Sequence, residues 1–269
     1  MKKIIFFLFI LISASLIFNS FVFAQPAGYR GQSNSGSTGL FSIPTGRIGW
    51  EESGKTGLDF GYRAIINNDA GIAHIPSITL SFSNWIEISA ALDIQPNNIN
   101  NILLGSKIKL PFSATTSVAV GCNFQLINLI GDGNNFTAYQ PYIAVTYPAT
   151  LFNMSSETTI VIGKTLYTDK NNNSDIDFGM GFDLILFPDV FNKTVHWIID
   201  FANFNYSIKS WPYNSSQYRG ILNTGFRIDI SALPALSDYK FLIDIMLNDL
   251  FDAGGRSFTI GAVFGFKMK

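Results

Sequence analysis

Ionic residues are scarce in this chain. Asp, Glu, Lys and Arg together make up 14% of its 269 residues, against about 25% in a typical soluble domain. A water-facing surface of ordinary charge density is therefore hard to assemble. Cysteine is nearly absent: Cys122 stands alone, which excludes an intrachain disulfide and with it a disulfide-stapled scaffold. Neither sign of charge prevails, with 18 Lys and Arg against 19 Asp and Glu. Phosphate backbones are bound by clustered positive charge, so nucleic acid is not an expected partner. Beyond residue 24 there is no run of about 18 apolar residues, and helical membrane spans are excluded on that ground. His74 and His196 are the only histidines. No G-x-S-x-G, H-E-x-x-H or Cys/His cluster occurs, so the sequence offers no catalytic motif and no cofactor.

What is present begins at the N-terminus. Lys2 and Lys3 precede an apolar stretch from Ile4 to Ile17, and Phe21-Val22-Phe23-Ala24 precedes Gln25. This is the pattern of a cleaved secretory signal peptide spanning 1–24. No Cys follows the cut, so lipoprotein processing is not expected. Apolar residues reach 47% and aromatic residues 14%, with 25 Phe. A chain too apolar for a water-facing surface, yet without helical spans, is accommodated by a closed β-barrel, which satisfies every backbone group within lipid.

The pattern along 56–269 supports that solution. Twelve segments of about ten residues alternate with period two: 56–66, 77–83, 85–94, 102–110, 115–126, 138–147, 158–167, 176–187, 195–205, 220–230, 239–248 and 256–266. Asn, Asp, Gly, Ser and Pro clusters separate them. In the last segment one row reads Phe258, Ile260, Ala262, Phe264, Phe266 and the other Ser257, Thr259, Gly261, Val263, Gly265. A soluble sandwich also alternates. The long bulky rows here match a tall hydrocarbon band, and the small or polar rows match a lumen. The expected fold is a single antiparallel transmembrane barrel of about twelve strands, porin-like, in a bacterial outer membrane. External loops are expected at 67–76, 95–101, 127–137, 168–175, 206–219 and 249–255. Internal turns are expected at 84, 111–114, 148–157, 188–194 and 231–238. Residues 25–55 stand apart as a Gly/Ser-rich arm, a short plug or an extra strand.

The stretch Gly39-Leu40-Phe41-Ser42-Ile43-Pro44-Thr45-Gly46-Arg47, followed by Gly57-Leu58-Asp59-Phe60-Gly61-Tyr62, resembles the start of the barrel repeat in YjbH-type outer-membrane proteins. The resemblance covers about 25 residues. It implies an envelope barrel associated with exopolysaccharide production or export. Phe266 lies near the C-terminus, where outer-membrane proteins commonly carry an aromatic residue resembling an assembly signal.

Several residues are candidates for chemistry. Alternation turns Asp59, Arg63, Glu87, Asp93, Lys107, Lys109, Asn123, Gln125, Asp177, Asp183, His196, Asp200, Arg227, Asp229, Lys240 and Asp244 inward. They either line a water-filled pore with mixed charges or fill a closed interior with ion pairs. Asp169, Asn171, Asn173 and Asp175 space oxygen ligands as the first half of a calcium loop does. Turn chemistry explains the same residues. Tyr206, Trp211, Tyr213 and Tyr218 populate the longest external loop, as contacts for a partner or as packing on the rim. The expected partners are outer-membrane lipid and small hydrophilic solutes or polysaccharide. A closed structural or adhesive barrel is the alternative, and a membrane-embedded hydrolase using His196 is a third reading.

Overall fold

The computed structural model describes residues 30–51, 55–67, 71–96, 99–111, 115–128, 135–168, 176–203, 220–233, 236, 239–252 and 255–268. The signal peptide expected at 1–24 lies outside these residues. The strands, in chain order, are β1 (Thr56–Asn67), β2 (Gly71–Phe82), β3 (Ile86–Gln95), β4 (Ile99–Leu110), β5 (Ser117–Asn128), β6 (Asn135–Leu151), β7 (Met154–Gly163), β8 (Leu166–Tyr167), β9 (Asp177–Ile185), β10 (Val195–Ala202), β11 (Ile221–Asp229), β12 (Tyr239–Asn248) and β13 (Ser257–Met268). A four-residue helix, α1 (Pro188–Phe191), precedes β10.

Neighbours in the chain pair antiparallel, and β1 also pairs with β13 from Thr56↔Met268 to Ile66↔Phe258. That last ladder closes the sheet. β8 is a continuation of β7: Tyr142 on β6 faces Gly163, and three residues earlier Tyr139 faces Leu166, so the register is unchanged. The barrel therefore has twelve staves. Closure matters energetically because it leaves no sheet edge with unpaired N–H and C=O groups, each costly in hydrocarbon.

The two faces divide as the alternation requires. On β13 the buried row is Ser257, Thr259, Gly261, Val263 and Gly265. The outward row includes Phe258, Ile260 and Phe264, each exposed. Ile72, Ile78, Ile88, Ile102, Leu104, Ile108, Val120 and Ile143 continue the exposed aliphatic surface around the staves. Contiguous exposure of this kind marks a lipid-facing band. The protein is a transmembrane β-barrel by this geometry. No helix among the described residues is long and apolar enough to cross a membrane.

One barrel end carries the start of β1 and two tight hairpin turns. Ser83 and Asn84 both have positive φ, as do Phe152 and Asn153. Two left-handed residues in succession make the hairpin turn that matches strand twist. We call this the turn end and its opposite the loop end. Four connections are shorter than the sequence predicts: 95–101 narrows to 96–98, 127–137 narrows to 129–134, and two others shrink most. The expected turn over 148–157 shrinks to Phe152-Asn153, because β6 runs on to Leu151 and β7 begins at Met154. The expected loop over 67–76 shrinks to 68–70, because β2 begins at Gly71. Pro148 and Pro76 suggest strand breaks in the sequence. Each instead sits inside a registered pair, opposite Glu157 and Tyr62 respectively. A proline removes one N–H, so neighbouring rungs on both sides can hold the strand in place.

Candidate functional site: the plugged lumen

Residues 30–50 lie inside the barrel. They form a tight double turn whose own backbone bonds include Ser33 N to Ser37 O (2.7 Å), Gly39 N to Gly31 O (2.9 Å), Leu40 N to Ile43 O (3.0 Å) and Thr45 N to Thr38 O (3.0 Å). Gly36 takes φ +81 at the first bend, a conformation that suits glycine. The segment runs in and back: Arg30 at one side and Arg47 at the other both reach Oε1 of Glu157, at 2.9 and 2.8 Å. Residues 30–50 are the described part of the stretch at 25–55, and this hairpin within the barrel is called the plug below.

The inward rows hold this plug with polar contacts on all sides. Glu87 on β3 accepts from Thr38 N at 2.8 Å, from Thr38 Oγ1 at 2.5 Å and from Gly49 N at 3.1 Å. Lys107 on β4 pairs with Glu87 at 3.2 Å and donates to the carbonyls of Thr38 and Thr45. Lys240 on β12 bridges Asp59 (2.7 Å) and the Gly49 carbonyl (2.9 Å), while Trp50 Nε1 donates to Asp59 at 2.7 Å. Arg63 donates to Asp244 at 3.1 Å and to the carbonyls of Ser33 and Gln32. Arg227 shares Asp244 at 2.7 Å, and a Cβ built on Gly31 would overlap its guanidinium. Asp200 accepts from the backbone N–H groups of Phe41 and Ser42 at 2.8 and 2.7 Å. Gly46 N donates to Thr146 at 2.9 Å, and Gln32 bonds Thr79 at 2.7 Å. One apolar patch complements these bonds. Leu40, Phe41 and Ile43 pack on Tyr142, Ala144, Val161, Ile198, Ala202 and Met246.

The electrostatics fit the same picture. Inward carboxylates (Asp59, Glu87, Asp93, Glu157, Asp177, Asp183, Asp200, Asp229, Asp244) outnumber inward Lys and Arg (Arg63, Lys107, Lys109, Arg227, Lys240) on the described strands. The plug, over 30–50, carries Arg30 and Arg47 and no acid. A cationic hairpin thus sits in an anionic wall, and buried charges are tolerable because each is paired or hydrogen-bonded.

The structure turns inward all the residues named from the alternation. It brings seven of the sixteen onto the plug: Asp59, Arg63, Glu87, Lys107, Asp200, Arg227 and Lys240. Lys109 lies at the turn end, 3.1 Å from Asn84 and 3.5 Å from Glu51. Asp93 and Asp177 lie towards the loop end, away from these contacts. Asp93 accepts from Gln95 and Asn101, and Asp177 from Thr165 and Gln140. His196 Nδ1 lies 2.6 Å from Asp183 and Nε2 3.2 Å from the Lys193 carbonyl, so both ring nitrogens are engaged. No group of three metal-ligating side chains occurs among the described residues. The candidate calcium residues Asp169, Asn171, Asn173 and Asp175 lie outside the described residues. So do Tyr206, Trp211, Tyr213 and Tyr218.

Sequence reasoning missed Arg30, Thr38, Arg47, Trp50 and Glu157 as lumen residues. A signal existed for the first four. A Gly/Ser-rich stretch with two Arg and no acid, next to strands whose inner rows are rich in carboxylates, is charge-complementary to them. Glu157 was hidden by the expectation of a turn.

No family model matches the chain, and no curated protein matches it. Among solved structures it is similar to the KdgM porin, with a TM-score of 0.49 and 10% identity over 78% of this chain and 99% of that one. It is similar to the NanC porin, with a TM-score of 0.47 and 14% identity over 79% of this chain and 100% of that one. A third is the outer membrane protein Omp33 of Acinetobacter baumannii, with a TM-score of 0.44 and 13% identity over 80% of this chain and 99% of that one.

Proposed function

We propose that the protein is a bacterial outer-membrane pore, passive towards small hydrophilic solutes, with residues 30–50 as a resident constriction. The observation that carries this reading is the nature of the plug's seat. A hairpin that leaves by the end through which it came is held mainly by hydrogen bonds and ion pairs to an otherwise hydrophilic wall. A barrel closed for good is more stably filled with apolar side chains, since buried ion pairs gain little over a packed apolar core. A polar seat supports a lumen that water enters wherever the plug does not reach. Residues 39–47, which resemble YjbH-type barrels, form the bend of the plug itself, so any link to polysaccharide runs through the constriction.

Conductance in planar bilayers tests the reading. The full chain is expected to give small conductance steps. A chain lacking 30–50 is expected to give larger ones with preference for cations, because Glu87, Glu157 and Asp200 lose their plug partners. Absence of steps from both proteins, each folded as a barrel, would reject the pore and leave the closed structural barrel.

A further inference from the structure

On the wall of β3 to β6, towards the loop end, the inner surface changes character. At one height Ser89 faces Gly105, Gly105 faces Asn123 and Asn123 faces Gln140. One storey further towards the loop end, Ala91 faces Leu103 and Leu103 faces Gln125. These side chains carry amides and hydroxyls, with no Lys or Arg among them. The plug's bend at Gly36 lies against Ala90 and Ser77, and Ser77 faces Ala91, so the plug rises beside this wall to the storey of Gln125.

The hydrogen bonding of these groups is incomplete on the protein side. Gln125 is 1% exposed, yet neither its Oε1 nor its Nε2 has a protein partner. Ser89 Oγ, Asn101 Oδ1 and Asn123 Oδ1 are in the same condition, each on a residue no more than 2% exposed. Their remaining capacity is spoken for: Asn123 Nδ2 donates to Gln140 and Asn101 Nδ2 to Asp93. Buried polar atoms are ordinarily satisfied, and four neighbouring exceptions on adjacent staves mark a place where something else is to be bonded. Beside them runs an apolar stripe that includes Ile65, Ile75 and Leu103.

We infer that this wall is a binding subsite for an uncharged polyhydroxyl solute, a sugar or cyclic polyol. Resting on the pore reading, the inference names the solute class that pore selects. A hydroxyl both donates and accepts, and so does a side-chain amide, so the two match edge to edge. A sugar ring also has an apolar C–H face, which the aliphatic stripe can cover. A charged solute gains nothing here: Asp93 and Asp177 are already hydrogen-bonded, and no free cation faces the amides on β3 to β6 among the described residues. A wholly apolar solute would leave the amides unsatisfied, at a cost that disfavours it.

The test uses the full chain in a non-glycosidic detergent, with maltotriose as probe and saturation-transfer NMR as readout. Wild type is expected to transfer saturation to maltotriose and much less to trigalacturonate. Gln125→Leu and Ser89→Ala remove side-chain groups without protein partners, so both variants are expected to fold. Each is expected to weaken maltotriose binding by about tenfold, the equivalent of roughly one hydrogen bond. No transfer in wild type, equal transfer from trigalacturonate, or unchanged binding in both variants overturns the inference. Conductance is measured on the same preparations. Binding without conductance removes the pore and keeps the subsite. Conductance without binding keeps the pore and removes the subsite.

Discussion

Asp200 grips Ser42 with both carboxylate oxygens: Oδ2 accepts from the Ser42 amide at 2.7 Å and Oδ1 from the Ser42 hydroxyl at 3.0 Å. The Phe41 amide adds a third bond at 2.8 Å. Asn223 steadies the carboxylate from β11 at 2.7 Å. This carboxylate anchors the plug at its second bend, between Leu40 and Ile43. Hydrogen bonds to a charged group are worth about 1.5–3 kcal/mol each. Asp200→Ala is therefore expected to speed amide exchange at Phe41 and Ser42 by at least about tenfold, since about 1.4 kcal/mol is a factor of ten. Hydrogen–deuterium exchange reads this directly. Exchange as slow as in wild type would show that Asp200 does not hold the bend.

Gly39 supplies an independent way to unseat the plug. A Cβ there would collide with the Ile43 carbonyl and the Ser33 side chain, both inside the hairpin. The obstruction includes backbone, which cannot swing aside as a flexible side chain can. Gly39→Ala is expected to loosen the plug while the barrel persists. The expected signs are a larger conductance step and a red shift of Trp50 emission, because Trp50 now rests buried against Asp59 and Lys240. A variant with wild-type conductance and emission would mean that the hairpin tolerates the clash and that its packing is looser than the contacts indicate.

The stave pattern was open to sequence reasoning because membrane barrels impose a strict two-residue period with opposite chemistry on the two faces. Rows such as Phe258, Ile260 and Phe264 against Thr259, Gly261 and Gly265 leave little freedom in the assignment. Strand ends were harder, since Pro76 and Pro148 look like breaks when no register is known. The plug was legible only as one of three readings. Its structure comes from no local periodicity. Phe41 and Ser42 are positioned by Asp200, and Arg30 by Glu157, partners more than a hundred residues away in the chain. Nor does a sequence reveal which inward polar atoms will lack partners. Gln125 and Gln140 look alike in alternation, yet Gln140 is bonded to Asn123, Thr165 and Asp177.

Lys240 and Asp59 form an ion pair at 2.7 Å, with both side chains almost wholly buried. Removing one member of such a pair strands the other. Lys240→Met leaves Asp59 charged, with Trp50 Nε1 still donating to it, and the expected loss is about 3–5 kcal/mol. The double variant Asp59→Leu with Lys240→Met takes away both charges and is expected to recover most of that loss. Urea unfolding midpoints of the three proteins give the coupling. If the single and double variants unfold together, the pair is not what stabilises this corner of the lumen.

Ile260 tests the assignment on which the others depend. It points outward from the loop-end half of β13, 46% exposed, between Ala64 on β1 and Ile245 on β12. If lipid tails touch it, Ile260→Arg must bring a guanidinium to the hydrocarbon. The cost there is about 2–4 kcal/mol near the bilayer midplane and falls towards the interfaces. If water touched it, the same change on an exposed strand position would shift stability by no more than about 0.5 kcal/mol. Met268 lies on the same outward row at the end of the strand, opposite Thr56, so Met268→Arg serves as a control close to the interface. Unfolding in phospholipid vesicles should therefore separate the two variants, with Ile260→Arg the far less stable. The inner face is intolerant too, for a different reason. A side chain at Gly265 would overlap the Asp59 carboxylate, so that position fails by steric overlap whatever the solvent outside. Equal stability of Ile260→Arg and wild type in vesicles would mean that the bulky rows do not face lipid, and the pore reading would fall with them.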